Sequence, residues 1–188
     1  MDNFLEILQA AIAARTNLFD EKHQSAFRLF NGFLEGNPDI AVDLYARTVV
    51  IHNYADSPAE GEILVHAVQD FLLNKFDWLR AIIIKTRKGK TAEQKNGILI
   101  FGEKADDRIR EHGVWYAVDL TMNRDASLYL DTCNLRAWAI ANLTGKTVLN
   151  TFAYTGSLGV ASQAAGAERV VQSDLNKKFL NVGKTSYT

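Results

Sequence analysis

One cysteine, two prolines and no long apolar run mark a chain of 188 residues. The lone Cys133 excludes an internal disulfide and suits a reducing compartment. Pro38 and Pro58 are the chain's only prolines, and no low-complexity segment is present. No segment reaches the roughly 18 to 20 apolar residues that a membrane span needs. The N-terminus carries an acid, Asp2, and no basic region ahead of an apolar core. A cytoplasmic protein without membrane association is expected. An excess of one charge is missing too: 21 basic residues stand against 22 acidic ones, for a formal charge of -1. No overall field therefore draws the chain onto nucleic acid, and any RNA contact must be a local patch. Apolar residues are plentiful, at 47%, enough for one large or two small domains with real cores.

The apolar spacing of Phe4, Ile7, Leu8, Ala11 and Ile12 predicts a helix running to about Phe19. Short alternating runs at Ile40 to Tyr45 and Thr48 to His52, after the turn residues Gly36-Asn37-Pro38-Asp39, predict strands. Ser57 and Pro58 open a second helix, and Trp78 to Ile84 and Gly97 to Phe101 return to strand. From Val114 the order changes. Val114 to Leu120 and Ser127 to Leu130 read as strands, followed by a helix over Asn134 to Asn142. Strand, helix and strand then follow at Thr147 to Asn150, Leu158 to Ala165 and Arg169 to Ser173, with Asn176 opening a last helix. The fold class expected is α/β and α+β: a small mixed α+β domain over residues 1–110, then the first half of a Rossmann-like sheet, truncated, over residues 111–188.

In a parallel βαβ unit, the loop at the carboxyl end of the first strand faces a crevice. Asn150 to Gly159 takes that place, where Gly156 frees the backbone, Gly159 allows close packing of helix on sheet, and the helix N-terminus offers amide donors. An ordinary strand-to-helix turn would look the same. Asp174 closes the next strand, where a carboxylate can accept ribose hydroxyls of an adenosine cofactor; it could equally be a solvated acid capping the next helix. A nicotinamide dinucleotide is disfavoured, because Tyr154 stands where its Gly-rich loop needs a glycine.

The segment Asn150-x-Phe152-x-Tyr154-Thr155-Gly156 resembles the first motif of the cytosine-C5 ribosomal RNA methyltransferases that modify large-subunit RNA. Two further runs agree in order with that family. Phe27-Arg28-Leu29 with Gly36-x-Pro38-x-Ile40-x-Val42-Asp43-x-Tyr45 resembles its central domain. Glu111-x-Gly113-Val114 with Tyr129-Leu130-Asp131 and Arg136 resembles the approach to its catalytic domain. The resemblance covers residues 26–188 and implies S-adenosyl-L-methionine as cofactor. It places Asn150, Phe152, Tyr154, Thr155 and Gly156 around the methionine part, Asp174 on the ribose, and Asp131 and Arg136 in support. It also implies RNA, ribosomal RNA above all, as substrate.

The chain departs from the family in several places. Asp125-Ala126-Ser127 stands where the family commonly has Lys-Thr-Gly, and Asp131-Thr132-Cys133 where it has Asp-Gln-Arg, so two cationic positions are lost. The helix from Phe4 is too short to be the family's usual RNA-binding PUA domain. Cys133 precedes the first cofactor strand, has no adjacent His or basic group to lower its pKa, and reads as a packed thiol. The family's acidic Pro-Pro motif is absent, so no catalytic residue is assigned and this chain alone is expected to be inactive. Lys85, Arg87, Lys88 and Lys90 form the dense basic cluster, read as a hairpin tip at Gly89 and a weak RNA candidate. His23, His52, His66 and His112 lack metal spacing, so no metal site is expected. Trp78, Trp115 and Trp138 read as core. The rival expectation is a noncatalytic binding or assembly module with the same fold, dimerising through an exposed sheet edge.

Overall fold

The computed structural model describes residues 2–187. Its contacts divide the chain into two units, Met1–Asp106 with Leu120–Arg124, and Asp107–Asp119 with Asp125–Thr188.

In the first unit, helix α1 spans Asp2–Ala13 and stops short of Phe19, with a separate 3-10 turn at Thr16–Leu18. Strands β1 (Ala26–Phe30), β2 (Ile40–Tyr45), β3 (Thr48–Asn53), β4 (Ala81–Thr86) and β5 (Ile98–Phe101) form one sheet in that order. Neighbours are antiparallel except β3 and β4, which run parallel because helix α2 (Pro58–Lys75) carries the chain across between them. Alternation places Val42 and Leu44 of β2, Val49 and Ile51 of β3 and Ile82 of β4 in one core with Leu8 and Ile12 of α1 and Val65, Val68 and Leu72 of α2. Val50 and Ile83, on the opposite face, are buried as well. That is why β2 and β3 read as nearly continuous apolar runs.

Buried polar residues also sit on that second face. Asp43 accepts hydrogen bonds from Arg28 at 2.7 Å and lies 2.9 Å from Nε2 of His52. Burial pushes the Asp43 carboxyl up, but the bonds and charges of His52 and Arg28 outweigh it and hold the group below the ordinary carboxylate range. Gly89 closes a tight turn after β4, its N–H donating to Thr86 carbonyl at 3.0 Å, and a short helix, α3 (Ala92–Asn96), opened by a Thr91–Gln94 capping box, completes the connection to antiparallel β5.

The second unit opens with a two-stranded hairpin, β6 (Arg108–Glu111) and β7 (Val114–Ala117), joined by His112 and Gly113. Both turn residues have positive φ, 50° and 81°, the requirement of a two-residue turn that matches strand twist. The expected strand at Ser127 to Leu130 does not form. Ser127 has φ of 60°, its hydroxyl accepts a bond from Asp119 N–H at 2.7 Å, and a 3-10 turn at Leu130–Thr132 leads into helix α4 (Cys133–Asn142). Next come β8 (Thr147–Thr151), α5 (Ser157–Ala164), β9 (Arg169–Ser173) and α6 (Lys177–Thr185). β8 and β9 pair in parallel, with Thr147 beside Arg169 and Thr151 beside Ser173. Asn176 caps α6 by accepting from Lys178 N–H at 3.0 Å. One face of this pair is open: Leu149 is 68% exposed and Val171 38%. No described helix is long and apolar enough to cross a membrane.

Candidate functional site

The carboxyl ends of β8 and β9 carry an unusual piece of backbone. Phe152, Tyr154 and Gly156 all have positive φ, at 54°, 53° and 74°, in a region that costs a residue with a Cβ about 1–2 kcal/mol. The contacts that hold this conformation come from three directions. From β9, Ser173 carbonyl accepts from Ala153 N–H at 2.9 Å. Asp174 accepts from Tyr154 N–H at 2.8 Å and, through its other oxygen, from Asn176 N–H at 2.8 Å. From the segment before α4, Ser127 carbonyl accepts the buried Thr155 hydroxyl. From α6, Gly183 lies so close that a Cβ there would stand 2.6 Å from Thr155 carbonyl. The Tyr154 ring packs edge-on to Phe179 of α6 at 4.7 Å and tilted against Tyr129 at 5.0 Å.

The candidate residues do not all face one place. Thr155, Gly156 and Tyr154 build the loop, with Gly156 as N-cap of α5. Asp174 latches the loop to the second strand, so the acid and the loop share the carboxyl edge of the parallel pair. Asn150 faces elsewhere: its side-chain amide donates to Gln172 at 3.1 Å, and Gln172 in turn donates to the Tyr187 hydroxyl at 2.9 Å. Both loop glycines serve this glutamine, because a Cβ at Gly156 or Gly159 would stand within 2.6 Å of its side-chain atoms. Phe152 is 88% exposed and Leu175, directly after Asp174, is fully exposed. These two bare apolar side chains flank the latch, and no sequence pattern singles out Leu175.

Arg136 does not line the loop. It is completely buried and grips Glu111 of β6 with two bonds, at 2.5 and 2.9 Å. It also donates to Tyr129 carbonyl at 2.9 Å and to the Thr132 hydroxyl at 2.6 Å. It thereby fixes the turn that bears Tyr129 and the exposed Asp131. Burial, followed by Asp125 and Asp131, raises the Tyr129 phenol above its ordinary pKa.

Several sequence expectations need correction. Lys85 cannot greet RNA: it is buried, and its ammonium donates to the carbonyls of Asn96 and Asn123 at 2.5 and 2.7 Å. Lys88 pairs with Asp56, leaving Arg87 and Lys90 exposed. Trp138 lies on the solvent side of α4 at 54% exposure. Cys133 does have a neighbouring histidine, since His112 Nε2 lies 3.3 Å from its sulfur. Burial and then Glu111 nevertheless push the thiol up to about 11. Glu111, His112 and Cys133 bring potential ligand atoms within 4.8 Å of one another, although Arg136 already occupies both Glu111 oxygens. No spacing rule could reveal that cluster, because two of its members meet across the hairpin and α4.

The donor set suits an adenosine cofactor: a carboxylate for ribose hydroxyls, helix-terminal amides for an anionic group, and exposed apolar side chains for a flat base. Comparison with known proteins agrees. YwbD of Bacillus subtilis (strain 168) is 32% identical over 188 residues, covering 94% of this chain and 45% of YwbD. The ribosomal RNA large subunit methyltransferase I of Aliivibrio fischeri (strain ATCC 700601 / ES114) is 30% identical over 186 residues, covering 97% of this chain and 46% of that protein. The chain thus spans about half the length of the relatives it matches. The solved structure of SMU.776 in complex with SAH superposes with a TM-score of 0.80 at 24% identity, over 99% of this chain and 47% of that one, a likeness of fold. Residues 90–188, more than half of the chain, match the model of the S-adenosylmethionine-dependent methyltransferases, and the chain belongs to that family.

Proposed function

We propose that this chain is part of an S-adenosylmethionine-dependent methyltransferase acting on RNA, with cytosine C5 of large-subunit ribosomal RNA as target. The observation that carries the cofactor reading is the Asp174 latch, which sets a carboxylate and a strained loop on one edge of a parallel βαβ unit. In this reading Thr155, Gly156 and the first amides of α5 hold the methionine end, and Asp174 holds the ribose with lone pairs left over from its two backbone bonds. Phe152 and Leu175 cover the base. Asn150 acts through Gln172, Arg136 acts through Tyr129, and Asp131 contributes charge at the rim. The cofactor supplies an electrophilic methyl group on a sulfonium; the chain's own part is binding and orientation. Residues 1–110 are proposed as a substrate-side domain, with Arg87, Lys88 and Lys90 as weak RNA contacts, and residues 111–188 as the start of the methyltransferase domain.

Calorimetric titration with S-adenosylhomocysteine tests the site. Wild type is expected to bind, and Asp174→Ala to bind at least tenfold more weakly, the loss of about 1.5–3 kcal/mol typical of hydrogen bonds to a charged group. Asp174→Asn, which keeps an acceptor for Tyr154 N–H, should hold the loop yet still weaken binding. Equal affinities for all three would remove Asp174 from the site. The RNA target rests on the named Aliivibrio relative and on the motif resemblance. Its test is methylation of large-subunit RNA by the product of the whole open reading frame; cytosines left unmodified at C5 would overturn it. A second reading, an assembly module, draws on the open face at Leu149 and Val171. Light scattering that finds a monomer at every concentration would end it.

A further inference from the structure

The hairpin β6–β7 has two unlike faces. Ile109, Glu111 and Tyr116 turn inward and are buried. Arg108, Arg110 and Trp115 share the outward face, with Arg110 directly opposite Trp115 in the ladder. The guanidinium carbon of Arg108 lies 4.8 Å from the Trp115 ring centre and that of Arg110 6.0 Å from it. Among the described residues neither arginine has a carboxylate partner; Arg110 has a long bond to Gly113 carbonyl, at 3.3 Å. A partly buried indole with two unneutralised guanidiniums at its ring thus stands on this hairpin, in a chain whose net charge is only -1. Beside it runs an open cavity of about 1020 Å³, bounded by Arg108 and Trp115 on one side and by Gln163 of α5 and Asn181 of α6 on the other. Asp107 and Asp119 at its wall have interactions of their own.

We infer that this face and groove bind a single-stranded segment of RNA, with Trp115 stacking a base and Arg108 and Arg110 taking the flanking phosphates. The inference rests on the RNA reading above and names a surface for it. The chemistry selects a single strand. An indole face is of use only to an unstacked base, guanidiniums suit phosphate, and the amides of Gln163 and Asn181 can meet base edges. An acidic peptide would use the arginines and leave the ring idle. The lost cationic positions around residues 125–133 make a compensating patch on the same unit chemically reasonable.

The test is fluorescence anisotropy of a labelled single-stranded RNA 12-mer with the 188-residue chain. Trp115→Leu is expected to weaken binding by roughly tenfold, since base–aromatic stacking is worth about 5- to 150-fold in affinity. Arg108→Gln with Arg110→Gln should lower the slope of log affinity against log salt by about 1.4, at about 0.7 per phosphate contact on single strands. The arginines lie on the outer face, so this double variant decides the matter if Trp115→Leu fails to fold by circular dichroism. If the hairpin variants bind like wild type while Arg87→Gln with Lys90→Gln loses affinity, the inference falls and the RNA reading survives. Duplex RNA or polyglutamate competing as well as the single strand would also overturn it. A wild-type chain that binds no RNA would overturn both.

Discussion

Replacing Glu111 by Ala should be among the most damaging single changes in the second unit. The carboxylate is 8% exposed and its partner guanidinium wholly buried. Removing it leaves a buried positive charge with only two neutral acceptors, Tyr129 carbonyl and the Thr132 hydroxyl. Breaking a buried pair from one side costs about 3–5 kcal/mol, against about 0–1 for a surface pair. With a urea m-value of about 2 kcal/mol/M, a loss of about 4 kcal/mol moves the unfolding midpoint by about 2 M. Urea titration followed by tryptophan fluorescence, with Trp115 and Trp138 reporting on this unit, measures the shift. Arg136→Ala should cost a similar amount, because it strands the anion instead. The diagnostic is the pair: Glu111→Leu with Arg136→Met removes both charges and should recover most of either loss, giving a coupling energy of several kcal/mol. Single variants costing under about 1 kcal/mol, or double-variant losses that simply add, would refute the reasoning.

Acid should destabilise the first unit through Asp43. Its folded pKa is depressed, so its contribution is full above the unfolded carboxylate value of about 4 and is lost as pH falls through the lower folded value; Asp43→Asn should flatten that part of a stability-against-pH curve, and an unchanged slope would contradict the assignment. Cys133, with its thiol up at about 11, should react with a disulfide reagent at pH 8 on the order of tenfold more slowly than a free thiol, the smaller thiolate fraction being partly offset by the greater nucleophilicity of the thiolate. Ellman kinetics between pH 7 and 11 read this directly, and ordinary reactivity would mean that the thiol is not held as described. Gly159→Ala should destabilise the second unit, since the new Cβ would stand 2.3 Å from Gln172 Cδ. Adding Gln172→Ala should restore part of the loss, and thermal melts showing no such relief would place the conflict elsewhere.

The second unit was legible where local signals agreed. β-branched runs at Thr147 to Asn150 and Arg169 to Ser173, punctuated by Gly145, Gly156 and Asn176, placed β8, α5, β9 and the start of α6 within a residue or so. Legibility failed where partners distant in sequence decide. Ser127 to Leu130 looks like a strand by residue type, yet Asp119 and Thr155 claim its polar groups and bend it. β6 hid in a charge-dense stretch because only Ile109 marks its apolar side. Lys85 sits in a basic run, and nothing local says that two carbonyls will draw it inward. Spacing singled out the loop and Asp174, which the structure brings together through the Tyr154 N–H bond. Gln172 was not, because its role exists only once the strand lies beneath the two glycines.

The open face of the β8–β9 pair also bears on how the protein fluctuates. Amides in the five-stranded sheet, buried on both faces through β2 and β3, should exchange with solvent deuterium only on unfolding of their unit. Those of β8 and β9, alternately exposed along both strands, should exchange through smaller openings. On the proposed function, a molecule held at the Asp174 latch would close those openings, and at a hundred times its dissociation constant would add about 2.7 kcal/mol to their protection. The β8–β9 ladder would then serve as an internal indicator of occupancy, readable by mass spectrometry without any assay of catalysis.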